Sequence, residues 1–285
     1  GGHGHSSGEV LPPLPMGARH PWCVRHDVAM TVETVSLRLG RGGNGVGNEN
    51  RGCADALGGT VPVSVAAPAS AVSPRGGVIV IPDARGITNY VLSVCEQLCA
   101  EGWLALTPHL YHRDGLTEVP VAEGSSKMLT LTAAGIAADV DACLEHLATV
   151  GLPPSRAAII GFCMGGTAAF LTSVRHRLGA AVSFYGGAVS TPYWTGAPPL
   201  LDVADQLRTP WLGLYGENDT WVTPDEIRSL RAAAARAPVP TELISYPGAQ
   251  HAFHTPERPS THDPVAASDA WARMLRWLET HVATT

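Results

Sequence analysis

Residues 157–168 read A-A-I-I-G-F-C-M-G-G-T-A, and no other segment constrains the architecture of this chain as strongly. An apolar run ends in Gly161, Cys163 follows, and a helix-forming segment opens after Gly165 and Gly166. This order predicts a nucleophile elbow, the strained strand-to-helix turn of the G-x-S-x-G pattern, with cysteine in place of serine. Small residues flank such a nucleophile because the turn leaves no room for side chains. The turn exposes the sulfur and directs the first N–H groups of the next helix at its target.

Strands and helices are predicted to alternate on both sides of this motif. The predicted strands are 31–39, 60–68, 77–82, 103–107, 157–161, 180–185, 210–215 and 242–246, and the predicted helices are 88–101, 133–150, the elbow helix to about 177, 224–237 and 264–282. The stretch between 107 and 127 is interpreted as a polar loop, and 186–199 as a Gly/Pro-rich excursion. This alternation predicts an α/β protein with a mostly parallel, doubly wound sheet flanked by helices. Active sites in such sheets lie at the carboxyl ends of the strands.

The composition excludes several classes of function. The chain has 285 residues, 45% of them hydrophobic, and a formal net charge of −6. This balance offers no basic stripe for nucleic acid. The longest apolar runs are broken by Gly, Pro or charge well before the roughly 18 residues that a spanning helix needs, so no membrane partner is expected. A small-molecule substrate is the expected partner, and the protein is expected to be a monomer or homodimer.

The N-terminal sequence predicts where the folded domain begins, and the cysteines predict the cellular compartment. Residues 1–29 begin G-G-H-G-H-S-S-G and are interpreted as a tag or a disordered N-terminal extension, without a recognisable signal peptide. Residues 30–285 are predicted to form a single domain. The six cysteines contain no C-x-x-C pair, which favours free thiols and a cytoplasmic location.

No cofactor or metal is expected. The Gly-rich segment 40–59 contains G-x-x-G-x-G spacing at 42–47, but no strand and helix flank it and no lysine ends it. It is therefore interpreted as a mobile hairpin connection rather than a phosphate-binding loop. Cys95 and Cys99 lie four residues apart, yet two ligands do not make a zinc site.

Partners for Cys163 follow the last two predicted strands. The strand ending at 215 runs into G-E-N-D-T-W-V, which offers Glu217 and Asp219, and the next runs into P-G-A-Q-H-A-F-H, which offers His251 and His254. Nucleophile, acid and histidine in this order are typical of the α/β-hydrolase fold. Without these partners, a cysteine between a strand and a helix would more often be a small core residue. Glu217 and His254 remain open as alternatives, each of which could equally be an ordinary loop residue.

These motifs resemble the dienelactone hydrolase family of the α/β-hydrolase fold. The resemblance rests on G-F-C-M-G-G, G-E-N-D, G-A-Q-H-A-F and the tail P-V-A-A-S-D-A-W-A-R, and it covers the chain from about Gly76 to the C-terminus. It implies a fold without a large cap domain and a nucleophile, acid and base at Cys163, Asp219 and His251. It also implies that P-D-A-R-G, after the third strand, lies over the nucleophile.

The expected chemistry is acyl transfer through a thiolate. An imidazole and a helix N-terminus near Cys163 would favour its thiolate, and Asp219 would fix the tautomer of His251. The backbone N–H groups of Met164 and Ala84 are the expected oxyanion donors.

Two side chains beside Ala84 are further candidates. The resemblance places a Glu at the position of Asp83, in contact with the resting thiol, and the shorter Asp83 need not reach Cys163. Arg85 is a substrate-side candidate that could instead pair with a surface carboxylate.

The leading interpretation is a hydrolase of esters or lactones. A non-catalytic ligand-binding protein of the same fold is the alternative, and a redox-sensing thiol protein is a third possibility that lacks a resolving cysteine adjacent to Cys163 in sequence.

The expected substrates are neutral or apolar. The resemblance implies a substrate-carboxylate site built from an arginine after the fourth strand and a serine after the catalytic histidine. Here Ala252 follows His251, and 115–131 contains no arginine, only Lys127, with Arg113 just before it. A lysine cannot supply the two-point grip of a guanidinium. The candidate pocket walls, each of which could instead be core packing, are Tyr193, Trp194, Trp221 and Phe253.

Overall fold

A computed structural model describes residues 32–40, 59–68 and 73–283 of the chain. The predictions for residues 1–29, and for nearly all of the connection at 40–59, lie outside these ranges. The described strands are β1 (Val32–Arg38), β2 (Thr60–Ala66), β3 (Gly77–Ile81), β4 (Leu104–Pro108), β5 (Ala157–Phe162), β6 (Ala180–Phe184), β7 (Trp211–Gly216) and β8 (Thr241–Tyr246). The described helices are α1 (Asn89–Ala100), α2 (Val121–Met128), α3 (Ala133–Thr149), α4 (Met164–Arg175), α5 (Leu200–Val203), α6 (Pro224–Ala234) and α7 (Pro264–His281).

The described strands form one sheet in the order β1-β2-β4-β3-β5-β6-β7-β8. β1 pairs antiparallel with β2 and β2 with β4, and every other pairing is parallel. The predicted α/β-hydrolase architecture, with a mostly parallel sheet and flanking helices, is confirmed. Its parallel part brings the carboxyl ends of β3, β5, β6, β7 and β8 to the same edge of the sheet.

Two apolar layers cover the central strands. Side chains alternate between the faces of a strand, so Ile79 and Ile81 pack into one cluster with Phe170 of α4, while Val78 and Val80 pack into the other, which includes Met274 of α7. All residues of β3, β4, β5, β6 and β7 are buried. Such two-sided burial is what the unbroken apolar runs predict. Among the described residues, no helix is long and apolar enough to cross a bilayer.

The interpretation of 107–127 as a loop is wrong in its second half, because Val121–Met128 forms α2. The sequence V-A-E-G-S-S-K-M is short and interrupted by glycine and two serines, so it carries a weak helical pattern. Its fold depends on tertiary contacts, since short helices are marginal alone. Gly124 packs against Ala84, and Met128 is buried. The short helix α5 directly after the Gly/Pro-rich excursion was not predicted either.

Candidate active site

Cys163 occupies a strained turn between β5 and α4. Its backbone adopts φ 55 and ψ −120, and its N–H donates to the carbonyl of Phe184 at 3.0 Å. Few non-glycine residues adopt such angles. A Cβ on Gly161 would overlap the carbonyl of Gly165, and one on Gly165 would overlap the carbonyl of Ile81. Glycine is therefore required at both positions, because the backbone packs directly on backbone there. The half-buried Cys163 directly precedes the first residue of α4.

Asp219 follows β7 and is fixed by its own turn. Its Oδ1 accepts the N–H groups of Trp221 at 2.7 Å and Val222 at 3.1 Å. This arrangement leaves Oδ2 to accept a hydrogen bond from Nδ1 of His251 at 2.8 Å. Because a carboxylate only accepts, Nδ1 of His251 carries the proton. Asp219 is 4% exposed, so this bond is shielded from solvent.

The loop after β7 is bound to the loop after β8 through the backbone. The N–H of Glu217 donates to Tyr246 at 3.0 Å, and the N–H of Asn218 donates to Ala249 at 2.9 Å. A side chain at Gly216 would overlap the carbonyl of Ala249. The carboxylate and the imidazole are thus held together by main-chain contacts, independently of their own hydrogen bond.

The surroundings of His251 favour its charged form. Burial alone would lower its pKa, but the charge of Cys163 and the hydrogen bond and charge of Asp219 outweigh burial and raise the pKa to about 10. The Nε2 atom is buried and makes no hydrogen bond of acceptable geometry within the described part of the chain. Charge is therefore the larger part of its coupling to Cys163, and a smaller hydrogen-bonding contribution raises the pKa of His251 in the same direction. The centroid of its ring is 5.9 Å from that of Trp221 and 5.1 Å from that of Tyr185.

The two alternative candidates, Glu217 and His254, form hydrogen bonds with other residues. Glu217 is exposed and accepts a hydrogen bond from the hydroxyl of Ser245 at 3.1 Å. His254 is buried among aromatic rings, and its Nδ1 lies 2.6 Å from the hydroxyl of Tyr90. The structure therefore joins Asp219 and His251, not Glu217 or His254, into one hydrogen-bonded pair beside Cys163.

The turn after β3 covers the same site. The N–H of Arg85 donates to the Asp83 carboxylate at 2.8 Å, and that of Gly86 donates to the Asp83 carbonyl at 3.0 Å. The N–H of Ala84 is therefore the candidate ligand donor of this turn. The buried hydroxyl of Tyr111 donates to the Ala84 carbonyl at 2.7 Å and fixes that peptide. Met164, the first residue of α4, has an N–H without an intrahelical acceptor.

A cavity of about 210 Å³ opens over Cys163. Its walls come from the turn after β3, helix α2, the elbow and the loops after β7 and β8. They are Asp83, Ala84, Arg85, Val121, Gly124, Ser125, Met128, Cys163, Trp221, His251, Ala252 and Arg258. The α2 residues were not predicted, because the sequence gives this helix no distinctive pattern.

Arg258 is the charged residue of this cavity that sequence reasoning missed. It lies seven positions after His251, in H-A-F-H-T-P-E-R. Its Nη2 is 3.7 Å from Asp83 Oδ2, and its buried Nε has no hydrogen-bond partner among the described residues. Asp83 thus interacts with Arg85 and Arg258, and no hydrogen bond joins it to Cys163 in the described part of the chain.

The other cations near the site have partners of their own. Arg85 pairs with Glu118 and, at 3.4 Å, with Glu257. Arg113 makes a two-point pair with the fully buried Asp139, at 2.9 and 2.8 Å. Lys127 pairs with Asp114 at 2.7 Å. Neither Arg113 nor Lys127 lines the cavity.

Only one of the four aromatic candidates is a wall. Trp221 lines the cavity and is 53% exposed. The other three do not line this cavity, although Tyr193 lies close enough to the site that the charge of Cys163 adds to burial in raising its pKa. Phe253 is fully buried against Tyr185 and Tyr246, Tyr193 is turned toward Gly187 and Trp194, and Trp194 lines a different cavity. Aromatic residues near a site are often core residues, because their large apolar surface favours burial.

Comparison with known proteins agrees with this geometry. Residues 61–282 match the model of the dienelactone hydrolase family. A protein of Escherichia coli K12, provisionally named carboxymethylenebutenolidase, is 32% identical over 227 residues, which are 78% of this chain and 83% of that protein. A Bradyrhizobium protein, provisionally named 2-oxo-3-(5-oxofuran-2-ylidene)propanoate lactonase, is 30% identical over 209 residues, covering 72% and 84% of the two chains.

A solved structure shows the same fold. A protein of Klebsiella pneumoniae, provisionally assigned as a dienelactone hydrolase, is 28% identical with a TM-score of 0.74, and the match covers 87% of this chain and 99% of that one. The chain therefore belongs to the dienelactone hydrolase family and is a hydrolase of ester or lactone bonds with the α/β-hydrolase fold.

Proposed function

We propose that this enzyme cleaves its substrate through a Cys163-His251-Asp219 triad and a covalent acyl-enzyme intermediate. The proposal rests on two interactions of His251. Its Nδ1 lies 2.8 Å from the Asp219 carboxylate, and the charge of Cys163 raises the pKa of its imidazole. A nucleophile with a base that a third group orients is the arrangement that covalent catalysis requires.

The acylation step uses a proton already held by the imidazole. In the resting site, His251 carries the proton of the Cys163 thiol, and the thiolate attacks the substrate carbonyl carbon. The carbonyl electron pair moves to oxygen, where the N–H groups of Met164 and Ala84 stabilise the oxyanion. As the carbonyl reforms, the C–O bond to the leaving group breaks, and His251 Nε2 gives its proton to the departing alkoxide.

Deacylation returns the site to its starting state. A water molecule gives a proton to Nε2 of His251 and attacks the thioester carbonyl. The carbon–sulfur bond breaks, the acid leaves, and the thiolate–imidazolium pair is restored. Asp219 keeps its charge throughout and stabilises the imidazolium.

A burst experiment tests the covalent step. Mixing enzyme with p-nitrophenyl acetate should release close to one equivalent of p-nitrophenol rapidly, and a quenched sample should carry one acetyl group on Cys163 by mass spectrometry. Prior treatment with iodoacetamide should abolish both signals. Steady turnover with an unlabelled Cys163, or turnover that survives its alkylation, would contradict the proposed nucleophile. A thiol that is alkylated but shows no turnover would indicate a redox or ligand-binding protein.

The proposed substrates are neutral or apolar esters and lactones. Arg113 and Lys127 are neutralised by Asp139 and Asp114, so neither is available to a substrate carboxylate. Ala252 presents no hydroxyl where the family pattern has a serine. The exposed ring of Trp221 and the side chain of Val121 provide apolar surface at the cavity instead.

Arg258 favours a second candidate, a substrate that carries a carboxylate. Its guanidinium lies in the wall of the cavity, and Asp83 at 3.7 Å is beyond hydrogen-bonding distance. The related Bradyrhizobium protein is named for a lactone that bears such a group. A charge-assisted hydrogen bond to a carboxylate is worth about 1.5–3 kcal/mol.

Two matched substrates separate these candidates. The neutral candidate predicts a higher kcat/KM for p-nitrophenyl butyrate than for the p-nitrophenyl monoester of succinate, by about tenfold or more. It also predicts that Arg258→Gln leaves this ratio unchanged. If the monoester is preferred and Arg258→Gln reverses the preference, the carboxylate candidate is correct. Arg228→Gln, which breaks an exposed pair with Asp225, is the control for a lost positive charge.

A further inference from the structure

A second cavity of about 180 Å³ lies between helices α3 and α4 and the segment that carries Trp194. Ile136 comes from α3, and Ala168 and Leu171 come from the helix that begins at the elbow. Trp194 and Val203 belong to the connection that follows β6. Three separate parts of the chain therefore build this cavity.

This cavity is distinct from the one over Cys163. The residues that line the two cavities do not overlap. Trp194, which lines the second cavity, donates its indole N–H to the carbonyl of Met128 at 2.9 Å, and Met128 lines the first. One hydrogen bond thus joins a wall of each cavity, and a molecule in the second would not contact Cys163.

The polar groups at the second cavity offer little to a charged ligand. Arg175 is its charged lining residue, and its Nη2 pairs with Asp141 at 2.7 Å. Asp141 also accepts from Nε2 of His176 at 2.9 Å. Thr172 adds one buried hydroxyl, and the remaining lining is apolar side chains and one glycine. Because an ordered water needs two to four polar partners, water in this partly open cavity is poorly held, and an apolar occupant would displace it favourably.

The volume limits the size of that occupant. An enclosed apolar cavity of about 150 Å³ in another protein binds benzene, and this cavity, which is partly open to solvent, has the volume for a ring of that size with a small substituent. An occupant would restore the dispersion contacts that the lining of an empty cavity forgoes. We propose that this cavity is a binding site for a small uncharged apolar molecule, about the size of a single substituted aromatic ring.

A titration with toluene tests the site. Toluene added to the full-length enzyme, with Cys163 first alkylated to block the active site, should bind saturably by saturation-transfer NMR. Ala137 lines the cavity on α3, and Ala137→Leu should weaken binding at least tenfold by filling it. Ala134→Leu is the matched control, because Ala134 is exposed on the same helix. It should bind like the unmodified chain.

Three results would overturn the proposal. They are the absence of saturable binding, binding lost on alkylation of Cys163, and binding unaffected by Ala137→Leu. Thermal unfolding, together with ester turnover measured before alkylation, checks that the variant is folded. If Ala137→Leu fails to fold, Ala197→Leu fills the cavity from another wall and must weaken binding in its place.

Discussion

Two histidines three positions apart in the loop after β8 are held in opposite charge states. His251 and His254 are both largely buried, and burial by itself lowers the pKa of each. For His251, the charges of Cys163 and Asp219 reverse this effect and raise the pKa to about 10. For His254, the pKa falls to about 3 through burial and the neighbouring charge of His262.

The difference comes from the neighbours, not from the depth of burial. The ring of His254 packs near those of Phe162, Phe184 and Trp271, and its hydrogen bond goes to the neutral hydroxyl of Tyr90. Between the two histidines, Ala252 adopts φ 61. One face of this short loop therefore belongs to the cavity over Cys163, and the other belongs to the aromatic core beneath the elbow.

Removing the sulfur of Cys163 should have the largest effect on the difference between the two histidines. Cys163→Ala should lower kcat/KM about a thousandfold or more, because only binding and the oxyanion donors remain. It should also lower the pKa of His251, since the charge that raises it most is lost while burial persists. Esterase kinetics and an NMR pH titration of the His251 ring measure the two effects. Cys99→Ala, in α1, is the control; turnover retained in Cys163→Ala would exclude Cys163 as nucleophile.

Exchanging each histidine in turn should separate their roles. His251→Gln should reduce kcat/KM by about a hundredfold or more, the usual loss when a positioned base is removed. His254→Gln should leave kcat/KM within a few-fold but lower the melting temperature, because a buried network with Tyr90 is disturbed. Steady-state kinetics and thermal unfolding of both variants provide the measurement. The opposite pattern of activities would move the catalytic role to His254.

The carboxylate of Asp219 should be needed to hold His251 in its productive tautomer. Asp219→Asn keeps the size of the side chain but permits the wrong imidazole tautomer. The general-base contribution of His251 is then lost, so kcat should fall by about a hundredfold or more. Glu217→Gln, two positions earlier and exposed, should have little effect on kcat. Kinetics at several pH values compare the two variants. Equal losses of kcat in the two variants would show that the reaction depends on the loop after β7 as a whole and not on the carboxylate of Asp219.

The smallest effect expected is on stability in acid. Unfolded His254 binds a proton below about pH 6.5, whereas the folded state excludes it down to about pH 3. Between these values the unfolded state holds more protons, so the free energy of unfolding falls as the pH falls. This residue contributes a slope of up to about 1.4 kcal/mol per pH unit. This contribution should be missing in His254→Phe, so its slope should be smaller than that of the unmodified chain when both are unfolded by urea between pH 4 and 6. Identical slopes would show that His254 is protonated in the folded protein.

The fold could be predicted because its strongest signals are local. The apolar run of β5 and the glycines around Cys163 occupy one continuous segment, and β3 is an unbroken apolar run. Helix α2 could not be predicted, since an eight-residue segment with a glycine and two serines depends on contacts to Ala84 and the core. The local sequence pattern therefore predicts the strands of the sheet better than it predicts α2, the helix that lines the cavity.

The cavity walls were harder to predict than the motifs. Trp221 and Phe253 both neighbour motif residues, yet only Trp221 lines the cavity, because Phe253 is buried beneath the loop against Tyr185 and Tyr246. Arg258 reaches the cavity because the chain between 252 and 263 returns past Asp83, and no local pattern describes that path. Side chains at the carboxyl ends of strands follow from topology, whereas loop side chains depend on contacts between distant segments.

The main-chain contacts between the loops after β7 and β8 also have a kinetic consequence for refolding. Glu217 and Asn218 can donate to Tyr246 and Ala249 only after β8 has paired with β7, the edge pairing of the parallel region. Pairings between parallel strands are slow, because a long intervening segment must be ordered first. We expect esterase activity to recover later than helical circular dichroism when the denatured chain is diluted from urea. Recovery of both signals at one rate would show that this edge forms together with the rest of the sheet.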